Sequence, residues 1–236
     1  MHTLKTAFIT GADKGLGFSL VQRLLHEGTR VFAGQYDPGS KLSRLAESFP
    51  QTLTLVQLDV RQMESVRAAA SRVVELTPAL DLLINNAAVM LETRTPLPEL
   101  DLDQLPLFTT LDVNTFGPLR VVQQFLPLLE KGNRKMIVNI SSEAGSIADC
   151  WRESEFAYSM SKAALNMQSK ILQNYLKPRG FKVLAVHPGW LKTDMGGVGA
   201  TVAPDEAAEG ILRLAKQDWA LDDPIYMDYQ GQPLPW

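Results

Sequence analysis

Short, continuous apolar runs alternate along this chain with stretches whose apolar positions recur every three or four residues. The runs fall at residues 5–10, 30–34, 52–57, 82–84, 135–140 and 181–186, with a shorter one at 225–227. Each reads as a buried strand. Between the first two, Leu16, Leu20, Val21, Leu24 and Leu25 share one helix face, and Gly28 closes that helix. Val66, Ala69, Ala70, Val73 and Val74 do the same over residues 62–76. Further helices are predicted over 39–48, over 107–130 with Gly132 as the stop, and from Pro204 to about residue 216. A long helix carries Tyr158 and runs to about residue 176, ahead of Pro178 and Gly180. Residues 91–102, with Pro96 and Pro98, read as a loop or a broken helix start.

Strands that are apolar throughout belong to a parallel sheet covered on both faces. The predicted fold is therefore α/β and doubly wound, with a parallel sheet of about seven strands and helices on both faces. No repeat, low-complexity tract or linker divides residues 1–236, which read as one domain.

Composition narrows the function. Hydrophobic residues make up 45% of 236, enough for a large core. The net charge is −3, and the 23 basic residues form no run, which argues against a nucleic-acid surface. Cys150 is the one cysteine, so neither a disulfide framework nor a cysteine metal cluster is expected. His2, His26 and His187 lack metal-ligand spacing, and no metal site is predicted. No apolar run reaches the length of a membrane span, and the first residues lack a signal-peptide core. A soluble protein of the reducing cytoplasm is the expectation.

Two patterns carry chemistry. Gly11, Gly15 and Gly17 stand between a strand and a helix, where glycine lets backbone N–H groups approach a pyrophosphate at a helix N-terminus. Their spacing is G-x-x-x-G-x-G. Tyr158 and Lys162 lie four apart on one helix face. A cation one turn away favours the phenolate, so Tyr158 is expected to have a lowered pKa suited to acid–base work.

With these residues in view the sequence resembles the classical short-chain dehydrogenases/reductases along nearly its whole length. Thr10-Gly11-Ala12-Asp13-Lys14-Gly15-Leu16-Gly17 looks like the family's T-G-x-x-x-G-x-G, and Asp59-Val60 is similar to its adenine-contacting position. Asn85-Asn86-Ala87-Ala88 resembles N-N-A-G with alanine in the last place. Asn114 matches the asparagine of the long helix, and Pro188-Gly189 with Leu191 and Thr193 looks like the segment that holds the nicotinamide carboxamide. Residues 187–197 and 228–236 resemble the C-factor and sniffer-type carbonyl reductase branch. The resemblance implies a Rossmann fold and an NAD(P)-dependent oxidoreductase acting on a carbonyl or a secondary alcohol. Ser142 would orient the substrate oxygen and Tyr158 would exchange its proton. Lys162 would lower the tyrosine's pKa and bind the nicotinamide ribose, and Asn114 would hold a water linking Lys162 to solvent. The alternative is a nucleotide-binding signalling protein of C-factor type with little turnover.

The choice of cofactor divides the signals. Lys14 stands where relatives preferring NADP carry a cation, and Gln35 occupies the place where an acid would mean NAD. Asp37 is within reach of a ribose but precedes Pro38-Gly39 and reads as a turn aspartate. NADP(H) is favoured, with NAD(H) as the alternative. Family analogy also implies a homodimer or homotetramer formed through helices 107–130 and 154–177. At the substrate mouth, residues 143–157 exceed the family's usual spacing, and their charges read as a solvated face. Gly196, Gly197 and Gly199 are expected to make a short, flexible lid over an open pocket. Cys150 reads as a bystander.

Overall fold

In the computed structural model, which describes residues 2–37, 41–92, 94–103 and 105–236, the seven apolar runs become seven strands. These are β1 (Thr6–Ile9), β2 (Arg30–Gln35), β3 (Leu53–Gln57), β4 (Leu82–Asn85), β5 (Met136–Ile140), β6 (Lys182–His187) and β7 (Tyr226–Asp228). They form one parallel sheet in the order β3-β2-β1-β4-β5-β6-β7. The order reverses between β1 and β4, and ligands of doubly wound sheets bind beyond the strand ends at such a point. The Pro38-Gly39 turn lies outside the described residues.

Among the described residues, seven α-helices cover the sheet: α1 (Gly15–His26), α2 (Lys41–Ser48), α3 (Met63–Leu76), α4 (Leu105–Leu111), α5 (Gly117–Glu130), α6 (Phe156–Leu176) and α7 (Pro204–Lys216). Successive strand residues face opposite ways, so Ile9 joins Leu20, Leu24, Leu42 and Ile211 in one core. Phe8 joins Val73, Phe125 and Leu176 in the other. The Phe8 and Phe125 rings meet at 4.2 Å, and truncating such a buried phenylalanine costs about 3–5 kcal/mol.

One predicted element divides. The helix expected over 107–130 begins at Leu105 and is broken by a π turn, Asp112–Phe116, between α4 and α5. The Gly117 N–H reaches back five residues to the Asp112 carbonyl. Arg120 locks the turn, pairing with the Asp112 carboxylate at 2.7 Å and donating to the Val60 carbonyl at 3.3 Å. Periodicity of apolar positions carries no mark of such a one-residue insertion, and π turns concentrate at functional sites.

Candidate active site

The glycine loop and the segment after β4 are built around each other. Gly11 and Gly15 hold φ of +61° and +54°, a region costly for other residues. A Cβ on Gly17 would lie 2.1 Å from the Gly11 carbonyl oxygen and 2.6 Å from the Asn86 amide nitrogen. Asn86 donates its side-chain amide to the carbonyls of Thr10 and Gly11 at 3.0 and 2.8 Å. The Thr10 hydroxyl accepts from the Asn86 and Ala87 backbone N–H groups, both at 3.0 Å. Ala88 follows, half-buried. A Cβ on Gly15 would meet the Thr193 methyl at 3.1 Å, so the segment after β6 closes the loop's other side. Leu16 points into the core, which leaves its backbone N–H as the group it offers at the start of α1. The cradle excludes side chains and exposes helix-start amides, the arrangement that suits a dinucleotide pyrophosphate.

The remaining cofactor candidates ring the ends of β2 and β3. Asp13 accepts from the Tyr36 N–H at 3.0 Å, and burial raises its pKa. Gln35 is buried, and its side-chain oxygen has no hydrogen-bond partner among the described residues, an orphan that a nucleotide's adenosine end would satisfy. Lys14 is exposed and pairs with Asp194 at 2.9 Å. Asp59 is engaged by Arg61 through Nε at 3.0 Å and Nη2 at 2.7 Å, which holds its pKa below the usual range. Arg61 also lies 5.7 Å from the Tyr36 ring centroid. Nothing local in the sequence marked Arg61, because its partner Tyr36 is contributed by another strand end. Val60 packs against Gly117, where a Cβ would lie 2.8 Å from its methyl group.

Ser142, Tyr158 and Lys162 meet beyond the end of β5. Lys162 is buried and donates to the Ile140 carbonyl at 2.9 Å, and its nitrogen lies 5.6 Å from the centre of the Tyr158 ring. Burial lowers its pKa to about 8. The expected lowering of the Tyr158 pKa is not found. Burial of the phenol raises it, while the Ser142 hydroxyl and the Arg152 charge oppose the rise. Spacing registers only the nearby cation, whereas desolvation of the phenol itself outweighs its charged neighbours. The Ser142 hydroxyl accepts from the Ala144 N–H at 3.1 Å, and its carbonyl accepts from the Tyr226 hydroxyl at 2.8 Å. Ser141 is structural and donates to Asn166 at 2.6 Å.

Asn114 is buried in the π turn, and its side chain does not reach Lys162 among the described contacts. Its amide oxygen accepts from the Val89 N–H at 2.9 Å. Its NH₂ donates to the Val89 carbonyl at 2.8 Å and to the Ser161 hydroxyl at 3.0 Å. It ties the segment after β4 to the helix that carries Tyr158.

Two expectations about the mouth are corrected. The charges of 143–157 form a solvated face only in part: Asp149 and Glu153 are exposed, whereas Glu143, Arg152 and Glu155 pair with one another. Arg152 donates to both oxygens of Glu143 at 2.6 and 2.8 Å and to Glu155 at 2.9 Å, and Arg152 and Glu155 side chains are only 15% and 12% exposed. Nor do the lid glycines confer looseness. A Cβ on Gly196 would lie 1.9 Å from the Leu191 carbonyl, and one on Gly199 would lie 2.4 Å from the Trp190 ring. The Trp190 indole N–H donates to Gly196 at 2.7 Å, and Leu191 pairs with Val202. Those glycines allow dense packing, while Gly197, with φ of +69° and open space, is at a turn. Before this loop, Pro188 is buried and Gly189 has φ of +81° against Val202. His187, at the end of β6, is desolvated, and its pKa is lowered.

Residues 5–201 match the family model for short chain dehydrogenases. The C-signal protein of Myxococcus xanthus is 37% identical over 171 residues, covering 72% of this chain and all of that relative. The NADPH-bound carbonyl reductase from chicken fatty liver aligns over the whole of both chains with a TM-score of 0.90 and 32% identity. The carbonyl reductase Sniffer of D. melanogaster gives a TM-score of 0.92 with 28% identity, over 99% of this chain and 100% of that one.

Proposed function

Because this chain belongs to the short-chain dehydrogenase family, we propose that it is an NADP(H)-dependent oxidoreductase that interconverts a carbonyl and a secondary alcohol. The observation that carries this reading is the meeting of Ser142, Tyr158 and Lys162 beyond β5, in the sheet whose glycine cradle excludes every side chain. The cradle of Gly11, Gly15 and Gly17 would hold the pyrophosphate, with Asp13, Gln35, Asp59 and Val60 toward the adenosine. Asn86, Ala87, Ala88, Pro188, Gly189, Leu191 and Thr193 would flank the nicotinamide half. When bound, the nicotinamide supplies or accepts the hydride. Ser142 hydrogen-bonds the substrate oxygen, where negative charge develops during reduction. Tyr158 gives that oxygen its proton, or removes it in oxidation. Lys162 holds ribose hydroxyls and feeds the proton path, and Asn114 fixes the neighbouring backbone. NADP(H) is supported by the NADPH-bound relative and by Lys14 at the rim, whose partner Asp194 a 2′-phosphate would displace. The C-factor-type signalling alternative is not favoured, since all three catalytic side chains are present.

We also propose a homodimer in the cytoplasm. Met160, Met167, Ile171 and Tyr175 leave an apolar stripe exposed along α6, next to exposed Phe116 and Leu119. No helix among the described residues is long and apolar enough to cross a membrane.

Titration with NADPH and with NADH, followed by nicotinamide fluorescence, tests the cofactor. The chemistry is tested by Tyr158→Phe, which should keep NADPH affinity and lose turnover; near-normal turnover would overturn it.

A further inference from the structure

The first turn of α6 lacks a local cap. Its N-cap residue, Glu155, adopts φ of +62° and makes no capping hydrogen bond; its carboxylate is committed to Arg94 at 3.2 Å and Arg152 at 2.9 Å. The first N–H groups of a helix require acceptors. Here one carboxylate from the segment after β4 supplies them. Glu92 takes the Ala157 N–H on Oε2 at 3.1 Å and the Tyr158 N–H on Oε1 at 2.8 Å.

The segment that carries Glu92 is fastened at three successive points. Asn86 and Ala87 hold the glycine loop, Val89 is gripped on both its N–H and its carbonyl by Asn114, and Glu92 ends on the backbone of Tyr158. Arg94 adds an ion pair to Glu155. Glu92 also borders an open cleft of about 180 Å³ with Leu91, Thr95, Leu100 and Leu107. Ala87 and Val89 of the same segment also pack against the core, and Glu92 supplies its direct link to the first turn of α6. A bidentate carboxylate also suits a helix N-terminus, where the dipole favours negative charge.

We propose that Glu92 is a positioning residue for Tyr158: by capping the first turn of α6 from the strand-four loop, it fixes the phenol relative to Ser142 and the glycine cradle. The inference rests on the oxidoreductase reading for its catalytic consequence, and on the hydrogen bonds alone for its structural one. The rest of α6 is anchored independently by buried Leu165, Leu172 and Leu176, so loss of the cap acts on the first turn and not on the fold.

The test compares Glu92→Ala and Glu92→Gln in the full chain. With NADPH and 4-nitrobenzaldehyde as the probe, Glu92→Ala should lower kcat about tenfold to a hundredfold, the loss that small misplacement of a catalytic group brings. NADPH affinity should stay within about threefold, since the cradle is untouched. Amide exchange at Ala157 and Tyr158 should quicken about tenfold. Glu92→Gln keeps one accepting oxygen but turns its NH₂ toward the second backbone N–H, so it should recover only part of the lost kcat. A kcat within about twofold of wild type in Glu92→Ala would overturn the proposal. If Glu92→Ala does not fold, Glu92→Asp, whose shorter arm withdraws the acceptor, replaces it. If wild type does not reduce this aldehyde, whose primary-alcohol product the oxidoreductase reading does not require, the Tyr158 phenol alone decides the proposal. Its titration, followed with ring-labelled tyrosine, should shift in Glu92→Ala; an unmoved midpoint overturns it.

Discussion

The ammonium nitrogen of Lys162 donates to the carbonyl of Ile140 at 2.9 Å in a buried setting, with no carboxylate beside it. Its pKa falls to about 8, and Lys182, held by the carbonyls of Ala220 and Asp223, is lowered to about 8 as well. The unfolded chain keeps these lysines protonated up to about pH 10.4, so between pH 8 and 10 it binds more protons than the folded one. Stability of the cofactor-free protein should therefore rise with pH across that window, by up to about 3 kcal/mol from Lys162. Tyr226, raised to about 12, acts in the opposite direction only above pH 10. Urea unfolding at pH 7.5, 8.5 and 9.5 measures the slope, and Lys162→Met should reduce it to the part that Lys182 contributes.

Gly17→Ala places a methyl 2.1 Å from the Gly11 carbonyl. The backbone must move, at a cost of about 1–3 kcal/mol, and the cradle opens. NADPH titration should show binding weakened at least about tenfold. Gly28→Ala is the control: φ is +81° there and no atom lies within 4 Å, so it should cost about 1–2 kcal/mol and leave NADPH binding unchanged.

Asn114→Asp should be worse than Asn114→Ala. Aspartate turns an acceptor toward the Val89 carbonyl, and the Ser161 hydroxyl cannot rescue it, because it already donates to Tyr158 at 2.7 Å. The aspartate variant should lose about 2–3 kcal/mol in chemical denaturation. Equal losses in the two variants would refute this account.

Arg152→Leu removes the partner of Glu143 and leaves Glu155 with Arg94 alone; with Glu143 partly in solvent the cost should be about 1 kcal/mol. It also deletes a charge that pulls the Tyr158 pKa down and leaves two that push it up. The alkaline limb of the pH–rate profile should move to higher pH.

Ile171→Glu puts a charge on the exposed stripe of α6. Light scattering after size exclusion should report twice the monomer mass for wild type and one monomer mass for this variant.

Much of this was legible from sequence. The strands could be read because each is apolar on both faces. The glycine pattern and the Tyr158–Lys162 pair could be read because their spacing is local, whereas Asn114 and Ser142 entered only through the family resemblance. What escaped was non-local or depended on burial. Glu92 reaches a helix start far away in sequence, and the Arg152 pairs are set by a fold around Glu143. The direction of the Tyr158 pKa follows from desolvation, which spacing does not encode. Gly196 and Gly199 were misread because glycine serves both flexibility and close packing, and only neighbours tell which.

The π turn at Asp112–Phe116 is a phase shift in an otherwise continuous rod. One residue corresponds to about 100° of rotation on an α-helix. Deleting any single residue of the turn would therefore let α4 and α5 merge smoothly while swinging everything on one side a quarter-turn away from its partners. Either Asn114 would leave Val89, or Val121 and Phe125 would leave the core. The length of this segment is thus constrained as an integer, separately from the identity of its residues.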